Sequence, residues 1–276
     1  MSLMMTDEIF KQLRDFIYEK SGIFIPDTKK YFIENRLGRR VQEKSLKGYE
    51  DYLYIVKYGS DKNELVKLFD LITTNETFFF REPQQFEVFC GELLSRILAE
   101  NAKAGRRDIK VWSAASSTGE EPYTIAMMFQ EKSEIAGLRK EIVASDLSES
   151  VLSSARAGVY GSYAVRNIPE AYLKRYFSNA NQQYALSPVI KSMVKFTKVN
   201  LIEERDVRAI RGMDVVFCRN VLIYFDEKAK QKVVSQLYDA LRPGGYLFIG
   251  TSESLHNITR AFRPVVINKV IIYQKG

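Results

Sequence analysis

The sequence contains very few of the residues that usually carry catalysis or bind metals near neutral pH. Its 276 residues include one histidine, His256, and two cysteines, Cys90 and Cys218. Their spacing is not that of a metal site, and one histidine is too few for a multi-histidine site. We therefore expect an activity without a metal and without histidine-based catalysis. Both cysteines lie in apolar stretches, which indicates buried thiols in a reducing compartment.

Long apolar segments are also missing. No run reaches the roughly 18 residues that a membrane-spanning helix needs, and the N-terminus lacks the basic and apolar regions of a signal peptide. These absences predict a cytoplasmic protein without direct membrane insertion. The net charge of +7 either favours an acidic partner (nucleic acid, an anionic membrane or an acidic protein surface) or serves solubility alone.

The segment IKVWSAASSTGEEPYTIAMM predicts a ligand site at the end of a buried strand. Ile109 to Trp112 is typical of a strand, residues 113–119 are all small, and Pro122 indicates a helix start. Small side chains let a ligand approach the backbone, and a helix start offers free N–H groups. Glu120 and Glu121 disfavour phosphate there and favour a ligand with hydroxyls or positive charge, such as S-adenosylmethionine (SAM). A strand-to-helix turn without a ligand is the alternative.

A second acidic position follows the next strand. Glu141–Ala144 is typical of a short buried strand, and Asp146 comes just after it. An acidic residue at this place in an α/β fold binds ribose hydroxyls. Asp146 as a helix N-cap is the alternative, but the spacing from the first loop favours the ribose.

The order of elements predicts an α/β fold with a separate all-helical N-terminal domain. Residues 6–71 show only helical spacing, whereas strands alternate with helices from Ile109 onward, which predicts a mostly parallel sheet covered on both faces. Two final β runs, Val265–Ile267 and Val270–Tyr273, predict a C-terminal antiparallel hairpin. That hairpin is the usual ending of the SAM-dependent methyltransferase form of the Rossmann-like fold.

We divide the chain into a helical domain, a linker that packs on the cofactor site, and a SAM-binding domain with a small β insertion. The bounds are 1–72, 73–88 and 89–276, with the insertion near 160–197. The linker begins TTNETFFFR, whose three consecutive phenylalanines would be costly to expose. We therefore expect the linker to form one wall of the pocket.

A basic stripe lies on the second predicted helix. Arg36, Arg40 and Lys44 recur at intervals of four residues, and Arg39 lies on the flank. Such a stripe is usually a solvated helix face. The low acidic content of this face and the positive chain favour a surface for an acidic partner instead.

Six motifs occur in an order that resembles one family over essentially the whole chain. They are TTNETFFFRE, VWSAASSTGEEPYTIA, ASDLSESVLSSARAGVY, FTKVNL, DVVFCRNVLIYFD and LRPGGYLFIGTSES. Together they resemble the chemotaxis-receptor glutamate O-methyltransferase family, the CheR type. The resemblance implies SAM-dependent methyl transfer to glutamate carboxylates of chemoreceptor helices in chemotaxis adaptation, with S-adenosylhomocysteine as the product. It also implies a place in the cytoplasm, at membrane receptor arrays.

The resemblance also implies roles for individual residues. The cofactor contacts would be Asn75, Thr77, Arg81, Glu121, Asp146, Asn200, Leu201, Asn220 and Val221. From the chemistry of a carboxylate acceptor, the catalytic candidates are Arg81 and Tyr224, which would hold the acceptor carboxylate. The alternatives are an arginine that only anchors the linker and a tyrosine that belongs to the core. The substrate-binding surface would be Arg36, Arg39, Arg40 and Lys44.

One family feature is missing from the insertion. Some family members carry a glycine-rich loop there, which docks a peptide at the receptor C-terminus. Residues 178–187, SNANQQYALS, contain no glycine. We therefore expect no tether to a receptor C-terminal pentapeptide.

Two other functions remain open. The positive charge suggests a nucleic-acid methyltransferase, but residues 219–222, RNVL, lack the Asn/Asp-Pro-Pro-aromatic motif of enzymes that methylate exocyclic amines. The basic stripe is also short, with few aromatic residues to stack on bases, so we expect no nucleic-acid partner. A SAM-binding regulator without catalysis is the second alternative.

Overall fold

The computed structural model describes residues 4–276. Residues 1–3 of the predicted N-terminal domain lie outside the described residues. Within residues 4–276, none of the helices has the length and apolar character needed to cross a membrane.

Four helices make up the N-terminal part. They are α1 (Asp7–Ser21), α2 (Lys30–Glu43), α3 (Tyr49–Tyr58) and α4 (Lys62–Ile72). Helix α1 begins where the Thr6 side chain accepts a hydrogen bond from the Ile9 N–H, and it ends at Gly22 with φ of 73°. The apolar stripe of α2 is fully buried, which gives this part a core of its own.

The rest of the chain alternates helices and strands. A helical region of α5 (Pro83–Val88), a π-helical turn and α6 (Leu94–Lys103) comes first. The following elements are β1 (Asp108–Ala114), α7 (Glu120–Gln130), β2 (Arg139–Asp146), α8 (Glu149–Ala157), β3 (Val159–Tyr160), α9 (Ser162–Val165), α10 (Glu170–Tyr176), β4 (Phe177–Ala180), β5 (Gln183–Leu186), α11 (Pro188–Lys191), β6 (Val194–Lys198), α12 (Glu204–Val207), β7 (Met213–Phe217), α13 (Glu227–Ala240), β8 (Leu241–Phe248), β9 (Phe262–Ile267) and β10 (Val270–Lys275).

The main sheet has seven strands in the order β6-β2-β1-β7-β8-β10-β9. The first five strands are parallel, and β10 is antiparallel to both of its neighbours. The predicted α/β fold with a C-terminal hairpin is therefore confirmed. The strand order reverses between β1 and β7, and ligands bind at such a switch point outside the carboxyl ends of the strands.

The predicted small β insertion and the predicted C-terminal hairpin are both present. In the insertion, β3, β5 and β4 form a small antiparallel sheet, and the β4–β5 turn consists of Asn181 and Gln182. In the C-terminal hairpin, the turn is Asn268-Lys269. All four turn residues have positive φ, between 48° and 67°, which a two-residue turn between twisted strands requires.

Two element starts differ from the prediction. Helix α7 begins at Glu120 rather than at Pro122, because Gly119 is its N-cap with φ of 93°. Strand β8 begins at Leu241 and includes Gly245, although the sequence pattern predicts a turn there. A Cβ at Gly245 would lie only 3.0 Å from the Met213 carbonyl oxygen, so only glycine fits where β8 passes β7 irregularly.

Several hydrogen bonds fix the N-terminal helices against the sheet domain. Phe24 N–H donates to the Tyr224 carbonyl at 2.9 Å, and Asn200 Nδ2 donates to the Lys20 carbonyl at 2.6 Å. On the other side, Ser148 Oγ donates to Asp70 at 2.6 Å. The two parts therefore meet along the loops that follow β2, β6 and β7. The division at residues 72 and 88 stays a prediction.

Two members of the basic stripe on α2 are paired inside the N-terminal part. Arg40 donates to both carboxylate oxygens of the fully buried Glu64 on α4, at 2.9 and 2.7 Å, and Lys44 lies 2.9 Å from the same carboxylate. The expected lack of acidic groups around the stripe is therefore wrong, because Glu64 comes from another helix. The hydrogen bond from Arg40 lowers the pKa of Glu64 to about 2.

We predict that Glu64 makes the stability of the protein depend on acid. The pKa of Glu64 in the folded protein is below its unfolded value of 4.5. The ion pairs of Glu64 with Arg40 and Lys44 therefore stabilise the fold above pH 4.5, and this stabilisation is lost as the pH falls toward 2. Glu64→Gln should lower the free energy of unfolding by about 3 kcal/mol at pH 7 and flatten this acid dependence. Urea unfolding at several pH values measures both effects.

The matched control is Glu50→Gln, which removes an exposed carboxylate of the same part of the chain. It should leave the unfolding free energy within about 0.5 kcal/mol of wild type. If Glu64→Gln kept the acid dependence of the wild type, the cluster would not be its cause.

Candidate functional site

A cavity of about 240 Å³ opens where the sheet domain meets the linker and the N-terminal helices. Every predicted cofactor and catalytic residue lines it, namely Asn75, Thr77, Arg81, Glu121, Asp146, Asn200, Leu201, Asn220, Val221 and Tyr224. The structure thus brings together residues that are up to 149 positions apart in the chain (75 to 224). Their individual roles stay predictions. Arg36, Arg39, Arg40 and Lys44 are not among the lining residues of the described structure.

The loop after β1 takes a backbone shape that few residues adopt. Ala115, Ser117 and Gly119 all have positive φ, of 57°, 49° and 93°. The loop is held by hydrogen bonds from Ser116 N–H to the Ser145 carbonyl and from Ser117 N–H to Asp146, at 2.8 and 2.9 Å. Unfavourable backbone conformations of this kind persist where the surroundings enforce them, as at ligand sites.

Asp146 lies at the end of β2 and joins two loops around the cavity. Its Oδ2 accepts the Ser117 N–H, and its Oδ1 accepts the Ser148 N–H at 3.0 Å. The N-cap of α8 is Ser148, which accepts from the Val151 N–H, so the alternative of Asp146 as N-cap is wrong. Burial raises the pKa of Asp146, and the backbone bonds oppose this rise. Each oxygen retains a lone pair for a ligand hydroxyl.

Arg219 binds several groups beside the cavity and was not predicted as a site residue. Its side chain is 2% exposed, and it contacts Glu121 at 3.0 Å and Glu82 at 3.1 Å. It also donates to the Arg81 carbonyl at 2.5 Å. One cation shared by two carboxylates leaves a net negative charge beside the cavity. An arginine directly after the buried run MDVVFC was the signal for this role.

Only one of the two predicted glutamates faces the cavity. Glu121 accepts from Ser113 Oγ at 2.7 Å and from Arg219, and burial raises its pKa while Arg219 opposes the rise. Glu120 is buried and accepts from Thr118 Oγ1 instead, and burial raises its pKa to about 7. The expectation that both charges lie at the ligand is therefore wrong. Helix geometry points adjacent side chains in different directions.

The linker forms one wall of the cavity and places the cation of Arg81 on that wall. Phe79 and Phe80 are buried, and Phe79 packs edge-on against Tyr160 and Phe177. Phe78 lines the cavity beside Arg81, whose guanidinium carbon lies 5.8 Å from the Phe78 ring centre. Arg81 donates to the Glu76 carbonyl at 2.9 Å and forms no ion pair within residues 4–276. Its remaining donors are therefore available to an anion.

The lining fits SAM. The cavity combines apolar groups such as Ile23 and Leu201 with the carboxylates of Asp146 and Glu121. Ser116 and Arg219 also line the cavity, and within the described residues Ser116 Oγ and Arg219 Nε are buried without a hydrogen-bond partner. Buried polar atoms usually have partners, so these two atoms point to a polar ligand. Hydroxyl-binding carboxylates and net negative charge suit a ribose and a sulfonium.

Comparisons with known proteins agree on one family. A family profile described as "CheR methyltransferase, SAM binding domain" matches residues 75–271, and one described as "CheR methyltransferase, all-alpha domain" matches residues 8–73. The chain is 36% identical to chemotaxis protein methyltransferase 2 of Vibrio cholerae over 275 residues, 99% of this chain and 94% of that protein. It is 37% identical to the chemotaxis protein methyltransferase of Vibrio parahaemolyticus, covering 99% and 98%. Chemotaxis protein methyltransferase 1 of Pseudomonas aeruginosa is 36% identical, covering 96% and 97%.

We predict that Asp146 contributes directly to cofactor affinity. Asp146→Ala should weaken binding of S-adenosylhomocysteine by about 1.5–3 kcal/mol, the usual value of a hydrogen bond to a charged group. Isothermal titration calorimetry measures this. Glu149→Gln, which changes an exposed carboxylate on α8, is the control and should bind like wild type. Unchanged affinity in a folded Asp146→Ala variant would leave Asp146 a purely structural role.

Proposed function

We infer the function of this protein from the fact that its chain belongs to the CheR methyltransferase family. It transfers the methyl group of SAM to glutamate carboxylates of chemoreceptor helices. Methyl transfer with SAM and a role in chemotaxis come with the family and its named relatives. The choice of glutamate as acceptor is the finer part of the proposal. In this function the protein works in the cytoplasm, at arrays of receptors.

One observation carries this choice: among the described residues, the cavity offers the free cation of Arg81, whereas its carboxylates already have hydrogen-bond partners. Arg81 has no carboxylate partner within the described residues. The lining carboxylates are already bonded: Glu121 to Arg219, Asp146 to backbone N–H groups, and Glu76 to the Tyr163 hydroxyl. An amine or hydroxyl acceptor would need a base. A glutamate carboxylate, whose pKa in an unstructured peptide is about 4.3, arrives ionised and needs none.

The residues then act by holding and orienting the acceptor. When bound, SAM supplies a methyl group on a positively charged sulfur. Arg81 binds one carboxylate oxygen by a charge-assisted hydrogen bond and leaves the other free to attack. Tyr224, fixed by the bond from Phe24 N–H to its carbonyl, offers a second donor from the cavity wall. Such orientation is worth about 7–11 kcal/mol of barrier.

The two alternatives have less support. The relatives named as chemotaxis protein methyltransferases cover nearly the whole chain at 36–37% identity, which disfavours a nucleic-acid substrate. The complete set of lining residues disfavours a regulator without catalysis.

The receptor-facing surface is narrower than the sequence suggested. Glu64 forms ion pairs with Arg40 and Lys44 inside the N-terminal part, so we give these two a folding role. Arg36 stays exposed over the Phe32 ring at 5.3 Å, and Arg39 is 88% exposed with Glu43 as its partner. We propose that Arg36 and Arg39 attract the acidic receptor helix. The two-residue β4–β5 turn supports the expectation of no pentapeptide tether.

We predict that the protein forms base-labile methyl esters. Purified protein is incubated with methyl-labelled SAM and either cytoplasmic receptor fragments from the same genome or RNA. The label should appear in the receptor and be released as methanol by mild alkali, because carboxylate esters hydrolyse readily. Label in RNA, alkali-stable label, or no label would contradict the proposal.

In the same assay we predict that Arg81→Ala lowers kcat by at least about 100-fold, with unfolding free energy close to wild type, because Arg81 orients the acceptor. Arg81→Lys should rescue only partly, since a point charge does not reproduce the planar guanidinium. The matched control is Arg96→Ala, which removes an exposed arginine of α6. Loss of activity only in proportion to loss of folded protein would leave Arg81 as an anchor of the linker.

We predict that Arg36→Glu with Arg39→Glu slows receptor methylation at low salt without weakening S-adenosylhomocysteine binding. Exposed charges steer association, so raising the salt toward 1 M, where screening acts within about 3 Å, should slow the wild type to a similar rate. Arg260→Glu with Arg263→Glu changes the charge equally at two other exposed positions and should have little effect. If both double variants methylated the receptor at the same rate, α2 would not be part of the surface that binds the substrate.

A further inference from the structure

The inserted subdomain places a second arginine against the wall of the cavity. The guanidinium carbon of Arg166 lies 3.7 Å from the ring centre of Phe78 and 3.7 Å from that of Tyr163. Phe78 is the wall residue that also contacts Arg81. Both guanidinium groups therefore lie around one ring at the edge of the methyl-acceptor site.

Arg166 is held in place but is not neutralised. It is exposed, it donates to the Tyr163 carbonyl at 2.5 Å, and within residues 4–276 it forms no ion pair with a carboxylate. Glu76, the nearest acidic residue in this cluster, accepts from the Tyr163 hydroxyl at 2.8 Å instead. A guanidinium stacked on aromatic rings has its donors aimed in fixed directions. Two cations beside the same Phe78 ring favour an anionic partner with two carboxylates.

We propose that Arg166 is a substrate-specificity residue that binds a second acidic side chain of the methyl-accepting helix. This proposal rests on the proposed function, in which Arg81 holds the glutamate to be methylated. Residues three or four apart lie on one face of a helix, about 5–6 Å apart at Cβ. The second carboxylate therefore belongs three or four positions from the methylated glutamate, where both side chains reach the same wall. Arg166 touches neither cofactor nor the reacting atoms, and it selects the substrate by charge.

The test compares Arg166→Gln with Arg175→Gln in the full chain. Arg175 is the matched control, because it is an exposed arginine of the same insertion beside a tyrosine ring, but its charge is already paired with Glu131 at 2.8 Å. With a receptor cytoplasmic fragment from the same genome as the probe, Arg166→Gln should raise KM about tenfold and change kcat less than about twofold. Arg175→Gln should keep both constants near wild type. S-adenosylhomocysteine affinity and thermal stability should be unchanged in both variants.

A double-mutant cycle then identifies the partner group. The methylated glutamate is mapped by mass spectrometry, and acidic residues three or four positions away in the fragment are changed to glutamine. One of these changes should lower kcat/KM about tenfold for wild type and have no further effect for Arg166→Gln, because both changes remove the same contact. Arg166→Glu should recover activity on a fragment with lysine at that position.

Three results overturn the proposal. In the first, Arg166→Gln and Arg175→Gln have the same effect on KM. In the second, the effects of the enzyme change and the substrate change on kcat/KM add independently. In the third, Arg166→Gln lowers stability and cofactor affinity and leaves KM unchanged, which would show that Arg166 only packs the insertion on Phe78. If the wild type forms no base-labile ester on any fragment, the proposed function itself fails, and that result is separate from the first three.

Discussion

The buried guanidinium of Arg219 is the interaction on which the site depends. It lies at the end of β7 and joins Glu121 at the start of α7 to Glu82 and the Arg81 carbonyl of the linker. Breaking one partner of a buried ion pair costs about 3–5 kcal/mol, because a charge is left without compensation. The contacts of Arg219 therefore hold the linker against the sheet domain and fix the position of the backbone at Arg81.

Several unfavourable backbone conformations occur in the linker and in the loops that line the cavity. Phe80, Glu82 and Asn220 have positive φ of 56°, 58° and 57°, and Ala115 and Ser117 in the β1 loop do as well. Asn220 is held by bonds from its N–H to Glu253 and from its side chain to Glu82. Strain of this kind persists only when surrounding bonds outweigh it. Hydrogen bonds therefore hold these conformations beside the cavity, as the proposed catalysis by orientation requires.

The helical part and the insertion complete the cavity from two sides. The loop after α1 pairs with the segment around Phe225 and so fixes Tyr224. The insertion reaches the other side through Tyr163 and Arg166, which lie against Phe78 and Glu76. Neither the N-terminal helices nor the small sheet of β3, β4 and β5 belongs to the parallel sheet. The loops at the strand ends and the linker supply the residues predicted to bind the cofactor. In the proposed function, the two additions shape the entrance for the receptor glutamate.

The sequence alone determined the elements, the strand-end loops and the residues that line the cavity, because periodicity, turn chemistry and motif order are local properties of the chain. Asp146 after β2 and the small residues after β1 are examples. Only the tertiary structure decided which charged side chains form ion pairs within the protein. Glu64 on another helix forms ion pairs with Arg40 and Lys44, and Glu120 does not line the cavity. Arg219 forms ion pairs with Glu82 and Glu121, which are more than 90 positions away in the chain (219 to 121). Ion pairing depends on distance in space, and distance along the chain does not reveal it.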